Sequence, residues 1–117
     1  MRIVATLLVG AALAGSAGAA AVPSGVYGKV LRGPITPVCR VGTPCTAPAS
    51  GAVLVFSRTG HEQGRVRTHK DGTYRITLPK GTYAVRVVPA HPLRPVAALV
   101  RAGRFRRVDF LIDTGIR

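Results

Sequence analysis

The stretch Thr68-His69-Lys70-Asp71-Gly72-Thr73-Tyr74-Arg75-Ile76-Thr77-Leu78-Pro79-Lys80-Gly81-Thr82-Tyr83-Ala84-Val85-Arg86-Val87 decides the fold class. Its apolar side chains recur with a period of two, the repeat of a half-buried strand and not of a helix. Tyr74, Ile76 and Leu78 share one face, and Thr73, Arg75 and Thr77 the other. After Pro79-Lys80-Gly81 the pattern resumes, with Tyr83, Val85 and Val87 inward. Proline presets φ and glycine reaches positive φ, so that tripeptide reads as a turn, as does Lys70-Asp71-Gly72 before it.

Further strand patterns cover residues 25–32, 52–58, 65–68, 95–101 and 104–113. In the last of these Val108, Phe110 and Ile112 share a face while Phe105 falls out of phase, which predicts a bulge near Arg106-Arg107. No helical apolar stripe occurs beyond the first residues. Seven short strands with Gly and Pro punctuation predict an all-β chain, a single seven-stranded β-sandwich.

The chain has 117 residues, so one small domain is the ceiling, and an enzyme carrying its own cofactor domain is excluded by size. Apolar residues make up 47%, enough for a packed core. Met1-Arg2, the apolar run from Ile3 to Ala14 and the small residues through Ala21 predict a secretory signal peptide over residues 1–21. Cleavage is expected after Ala21, with Ala19 as the competing site, and residues 22–117 then form the mature domain. Leu13-Ala14-Gly15 is followed by Ser16 and not by an acylatable cysteine, so neither a lipid anchor nor a membrane span is expected. The predicted location is secreted, outside the cytoplasm. There an isolated pair of cysteines, Cys39 and Cys45 with five residues between them, is expected to form a disulfide.

Thr68-x-x-Asp71-Gly72-x-Tyr74, followed by Leu78-Pro79-x-Gly81-x-Tyr83-x-Val85, resembles the signature of carboxypeptidase regulatory-like domains. The likeness spans residues 25–113 and implies a transthyretin-like, Greek-key sandwich. Gly33-Pro34, the Cys39 and Cys45 loop and the ending Asp113-Thr114-Gly115-Ile116-Arg117 are similar to a bacterial exported group of unassigned role. The resemblance therefore implies a fold and not an activity.

Enzyme chemistry finds little support, and a non-enzyme without cofactor is expected. Hydroxyisourate hydrolases share such a fold but end in a Tyr-Arg-Gly-Ser tetrad, where this chain has Thr114-Gly115-Ile116-Arg117. His61, His69 and His91 lie in or beside predicted turns without metal-ligand spacing, so no metal site is expected. Ser24, Ser50 and Ser57 sit in no nucleophile-elbow motif. A crosslink from Lys29 to Asp113, assisted by Glu62, lacks the usual asparagine partner, because the chain has none.

Charge remains. Seventeen Lys+Arg against four Asp+Glu give a formal net charge of +13, and removal of residues 1–21 leaves +12. Strand alternation turns Arg65, Arg67, Arg75 and Arg86 outward as a candidate anion-binding face, with Arg101, Arg104, Arg106 and Arg107 as a second cluster. Six aromatic residues, most of them assigned to the core, leave too few stacking platforms for nucleic acid. The expected function is a secreted, non-catalytic binding or structural module for anionic envelope polymers, carbohydrate or an extracellular protein. The alternative is a small secreted enzyme or inhibitor using loop residues.

Overall fold

The structure is a computed structural model and describes residues 22–116; the predicted signal segment, residues 1–21, lies outside them. No helix occurs among the described residues. Ten strands follow one another: β1 (Gly25–Gly33), β2 (Ala47–Pro48), β3 (Val53–Arg58), β4 (His61–Arg67), β5 (Thr73–Thr77), β6 (Gly81–Val88), β7 (Leu93–Arg94), β8 (Ala97–Val100), β9 (Phe105–Arg107) and β10 (Phe110–Asp113). The count exceeds the seven expected. The strand predicted over 95–101 is preceded by the two-residue β7, the one predicted over 104–113 divides into β9 and β10, and β2 is additional.

Strand β1 is the centre of the first sheet. Its beginning pairs antiparallel with β5 and parallel with β9. Its end pairs antiparallel with β2 and parallel with β10, whose far side takes β7. The second sheet has the order β4-β3-β6-β8, antiparallel throughout. The two sheets share one core. Val26, Val30, Tyr74 and Phe110 enter it from the first, and Leu54, Phe56, Tyr83, Val85 and Val87 from the second. The rings of Phe56, Tyr74 and Phe110 meet with centroids 5.7–6.5 Å apart, the offset and edge contacts that aromatic quadrupoles favour.

The inward phase of β5 and β6 is as expected: Tyr74, Leu78, Tyr83, Val85 and Val87 are all buried. Their connections differ from a simple hairpin reading. Asp71-Gly72 and Pro79-Lys80 each carry the chain from one sheet to the other, while the tight hairpin is Thr59-Gly60 between β3 and β4.

The bulge expected near Arg106-Arg107 does not form: β1 keeps one register against β9 and β10, from Tyr27 opposite Arg107 to Val30 opposite Phe110, and only the pairing is interrupted, at Val108-Asp109. There the Asp109 carboxylate accepts the backbone N–H of Lys29 at 2.9 Å and so fills the gap in the ladder. Gly28 is opposite this gap: a Cβ on it would stand 2.3 Å from the Val108 carbonyl oxygen, so only glycine fits.

Candidate functional site

The signature residues come first, and the fold occupies them. Thr68, 4% exposed, donates its hydroxyl to the Ala49 carbonyl and accepts the N–H of Ala52. Asp71 accepts the N–H and hydroxyl of Thr73, which hold its carboxyl below the usual range, the hydroxyl contributing most. Gly72 sits at φ +87° against Val30. The Tyr74 hydroxyl donates to the Val108 carbonyl, and burial pushes that phenol up. The Tyr83 hydroxyl donates to Pro79, beneath the Arg58 guanidinium. Each of these polar side chains already has a partner within the fold: Thr68, Asp71 and Tyr83 at the connections between sheets, and Tyr74 within the first sheet.

The four arginines of the candidate anion-binding face do not form one field. Arg65 and Arg67 on β4 and Arg86 on β6 share the outer face of the second sheet, where Arg65 and Arg86 flank Val55. Val55 is 0% exposed yet lies outside the inter-sheet core, as expected beneath long arginine stems. This face is partly neutralised. Arg65 grips Glu62 with both arms of its fork at 2.7 and 2.8 Å, which draws the Glu62 carboxyl down and raises Arg65. Arg67 donates to the Gly51 carbonyl at 2.9 Å.

Arg75 is elsewhere. β5 belongs to the first sheet, so Arg75 projects from that sheet's outer face, next to Tyr27. From the other side of Tyr27 comes Arg107 on β9. One cross-strand row thus reads Arg75, Tyr27, Arg107. The next holds Thr77, Gly25 and Phe105. Because Gly25 has no side chain, the Phe105 ring lies across it: a Cβ there would come within 2.6 Å of that ring. The Arg75 guanidinium covers the ring at 3.7 Å from its centroid. Arg107 is held by Asp109 at 3.1 Å. The Asp109 carboxyl is lowered first by the Lys29 N–H and then by Arg107.

Of the second arginine cluster, Arg106 turns away from this row. It reaches across to the second sheet and donates to the Leu99 carbonyl at 2.8 Å on the edge strand β8. Tyr27 and Phe105 were missed as site residues, although both signals were present: Tyr27 alternates out of phase with Val26, and Phe105 out of phase with Val108.

Cys39 and Cys45 are joined by a disulfide, with Cα atoms 5.4 Å apart. A crosslink from Lys29 to Asp113 is precluded by register, since Asp113 stands opposite Gly33, Lys29 opposite Thr73, and Glu62 on the other sheet. Among the described residues no three of His, Cys, Asp and Glu gather as a metal site, and no helix is long and apolar enough to cross a membrane. Ser50 and His91 both line a cleft of about 550 Å³, together with Arg32 and Val87. Among the described residues that line this cleft there is no carboxylate. In comparisons with known proteins, no family model matches this chain and no curated protein matches it.

Proposed function

We propose that this chain is an exported, non-catalytic binding module that engages anionic polymers. Its two sheets are read as a sandwich of transthyretin-like topology, in keeping with the carboxypeptidase regulatory-like signature. The observation that carries the proposal is the disposition of charge. The two ion pairs among the described residues are Arg65–Glu62 and Arg107–Asp109, so most of the arginines are left to meet anions from outside. Export is supported by the signal-like first 21 residues and by the Cys39–Cys45 disulfide, which persists in oxidising compartments.

The test is retention of the mature protein, residues 22–117, on immobilised teichoic acid, with uncharged dextran as control. Retention on the polyanion at about 50 mM salt, lost by about 200 mM, is expected, because exposed charges are screened over roughly 8–10 Å at physiological ionic strength. Equal retention on dextran, or none on either matrix at low salt, overturns the reading.

A further inference from the structure

We propose that the outer face of the β5-β1-β9 half of the first sheet binds a strand of acidic polysaccharide, with one sugar ring stacked on Tyr27 and anionic groups on either side received by Arg75 and Arg107. This rests on the polyanion-binding reading and deepens it, by naming the face and the ligand chemistry.

Three observations converge. The first is an open aromatic ring: Tyr27 is 36% exposed in the middle of a strand, while Phe56, Tyr74, Tyr83 and Phe110 are buried. A flat ring at a sheet surface offers a face to the C–H side of a sugar. The second is that both flanking guanidinium groups are held in place. Phe105 lies beneath Arg75 at 3.7 Å, and Asp109 grips Arg107 at 3.1 Å. A side chain already fixed loses less rotamer freedom on binding, and the planar fork matches a carboxylate. The third is spacing. Arg75 and Arg107 occupy strands on opposite sides of β1, so their backbones stand about 10 Å apart, a span that a short run of linked sugars covers.

The alternative polyanion, single-stranded nucleic acid, fits less well. Base stacking wants successive open rings, and here the Phe105 face is taken by Arg75. Asp109 also favours a sugar: it engages the Nε of Arg107, and its carboxylate can in addition accept a sugar hydroxyl, a donor that a phosphate backbone does not offer. The outer face of the second sheet lacks this arrangement. It presents no aromatic ring, and Glu62 occupies the fork of Arg65.

The experiment uses the disulfide-bonded mature protein and three probes in calorimetry at low salt: hexagalacturonate, uncharged maltohexaose and a thymidine hexanucleotide. Hexagalacturonate is expected to bind saturably and in preference to the other two. Tyr27→Thr, which keeps the strand preference while removing the ring, and Arg75→Gln should each weaken it about tenfold. Arg67→Gln, the same loss of charge on the other sheet, should change it less than about twofold. Circular dichroism checks folding; if Tyr27→Thr fails to fold, the comparison of Arg75→Gln with Arg67→Gln decides. Binding of hexagalacturonate that falls equally in both arginine variants overturns the Tyr27 face and leaves polyanion binding standing. Tighter binding of the hexanucleotide, lost with Tyr27→Thr, overturns the saccharide assignment. If neither hexagalacturonate nor teichoic acid binds, both readings fall.

Discussion

The carboxylate of Asp109 completes the hydrogen bonding of Lys29, accepting its backbone N–H at 2.9 Å where β9 gives way to β10. A side chain thus substitutes for a rung of the ladder, and an aspartate stands at the break because its short, charged acceptor reaches the neighbouring strand.

Replacing Asp109 with alanine leaves that N–H to solvent and frees Arg107, so a loss of about 1 kcal/mol is expected, kept small because the carboxylate is half-exposed. Asp109→Asn retains an oxygen acceptor and should cost less. Urea titration of the two variants beside the parent checks the order.

The same carboxylate sets an acid limit. Asp109, Asp71 and Glu62 are all held below their ordinary values, so each favours the folded state above its unfolded pKa, about 4 for such groups. That contribution fades as pH falls through the lower folded values. Stability should therefore be flat from about pH 5 to 7 and decline below about pH 4. Asp109→Asn should flatten part of the decline, read as the midpoint of urea unfolding against pH.

Thr68 joins two segments through one buried hydroxyl, accepting from Ala52 at 2.8 Å while donating to Ala49. Thr68→Val keeps the shape and orphans both backbone groups, for an expected loss of about 2–3 kcal/mol. Thr68→Ser should recover most of it. Equal losses in the two variants would show that the methyl group and not the hydroxyl matters.

Tyr83 is fully buried, so Tyr83→Ala is expected to cost about 3–5 kcal/mol. Arg101→Ala, at an exposed position beyond β8, should stay within about 0.5 kcal/mol. Thermal unfolding of the pair tests the inward phase of β6.

Arg106 guards an edge. Its guanidinium occupies the Leu99 carbonyl on β8, which among the described residues is the last strand on that side of the second sheet. Arg106→Ala should speed amide exchange within residues 97–100 and leave β3 unchanged, as read by mass spectrometry.

Much of this was legible in the sequence because alternation is a local signal. The inward sets on β5 and β6 follow directly from the period of two, and the all-β class follows with them. What alternation cannot carry is which sheet a strand joins. Arg75 and Arg86 have the same outward phase, eleven residues apart, yet one projects from the first sheet and the other from the second, because Pro79-Lys80 makes a crossing and not a hairpin turn. The anion face was consequently divided. Phe105 shows the converse: its broken phase was visible, but it signalled an aromatic on the outer surface, with the interruption four residues later at Asp109. The partners of β1 were also beyond a local reading, since parallel pairing joins residues some 80 positions apart.

That parallel pairing of the first strand with the last has a mechanical meaning. Tension applied through the two ends of the domain pulls β1 and the β9-β10 pair in opposite directions along their length. Residues Gly25–Tyr27 and Val30–Gly33 then resist in shear against Phe105–Arg107 and Phe110–Asp113, many bonds sharing the load at once. A hairpin pulled from its open end would instead unzip bond by bond. Under force the lifetime of the fold is governed by its unfolding rate, and this geometry keeps that rate low. Parallel pairing of the first and last strands thus sets shear, and not unzipping, as the direction in which these two ladders would be loaded.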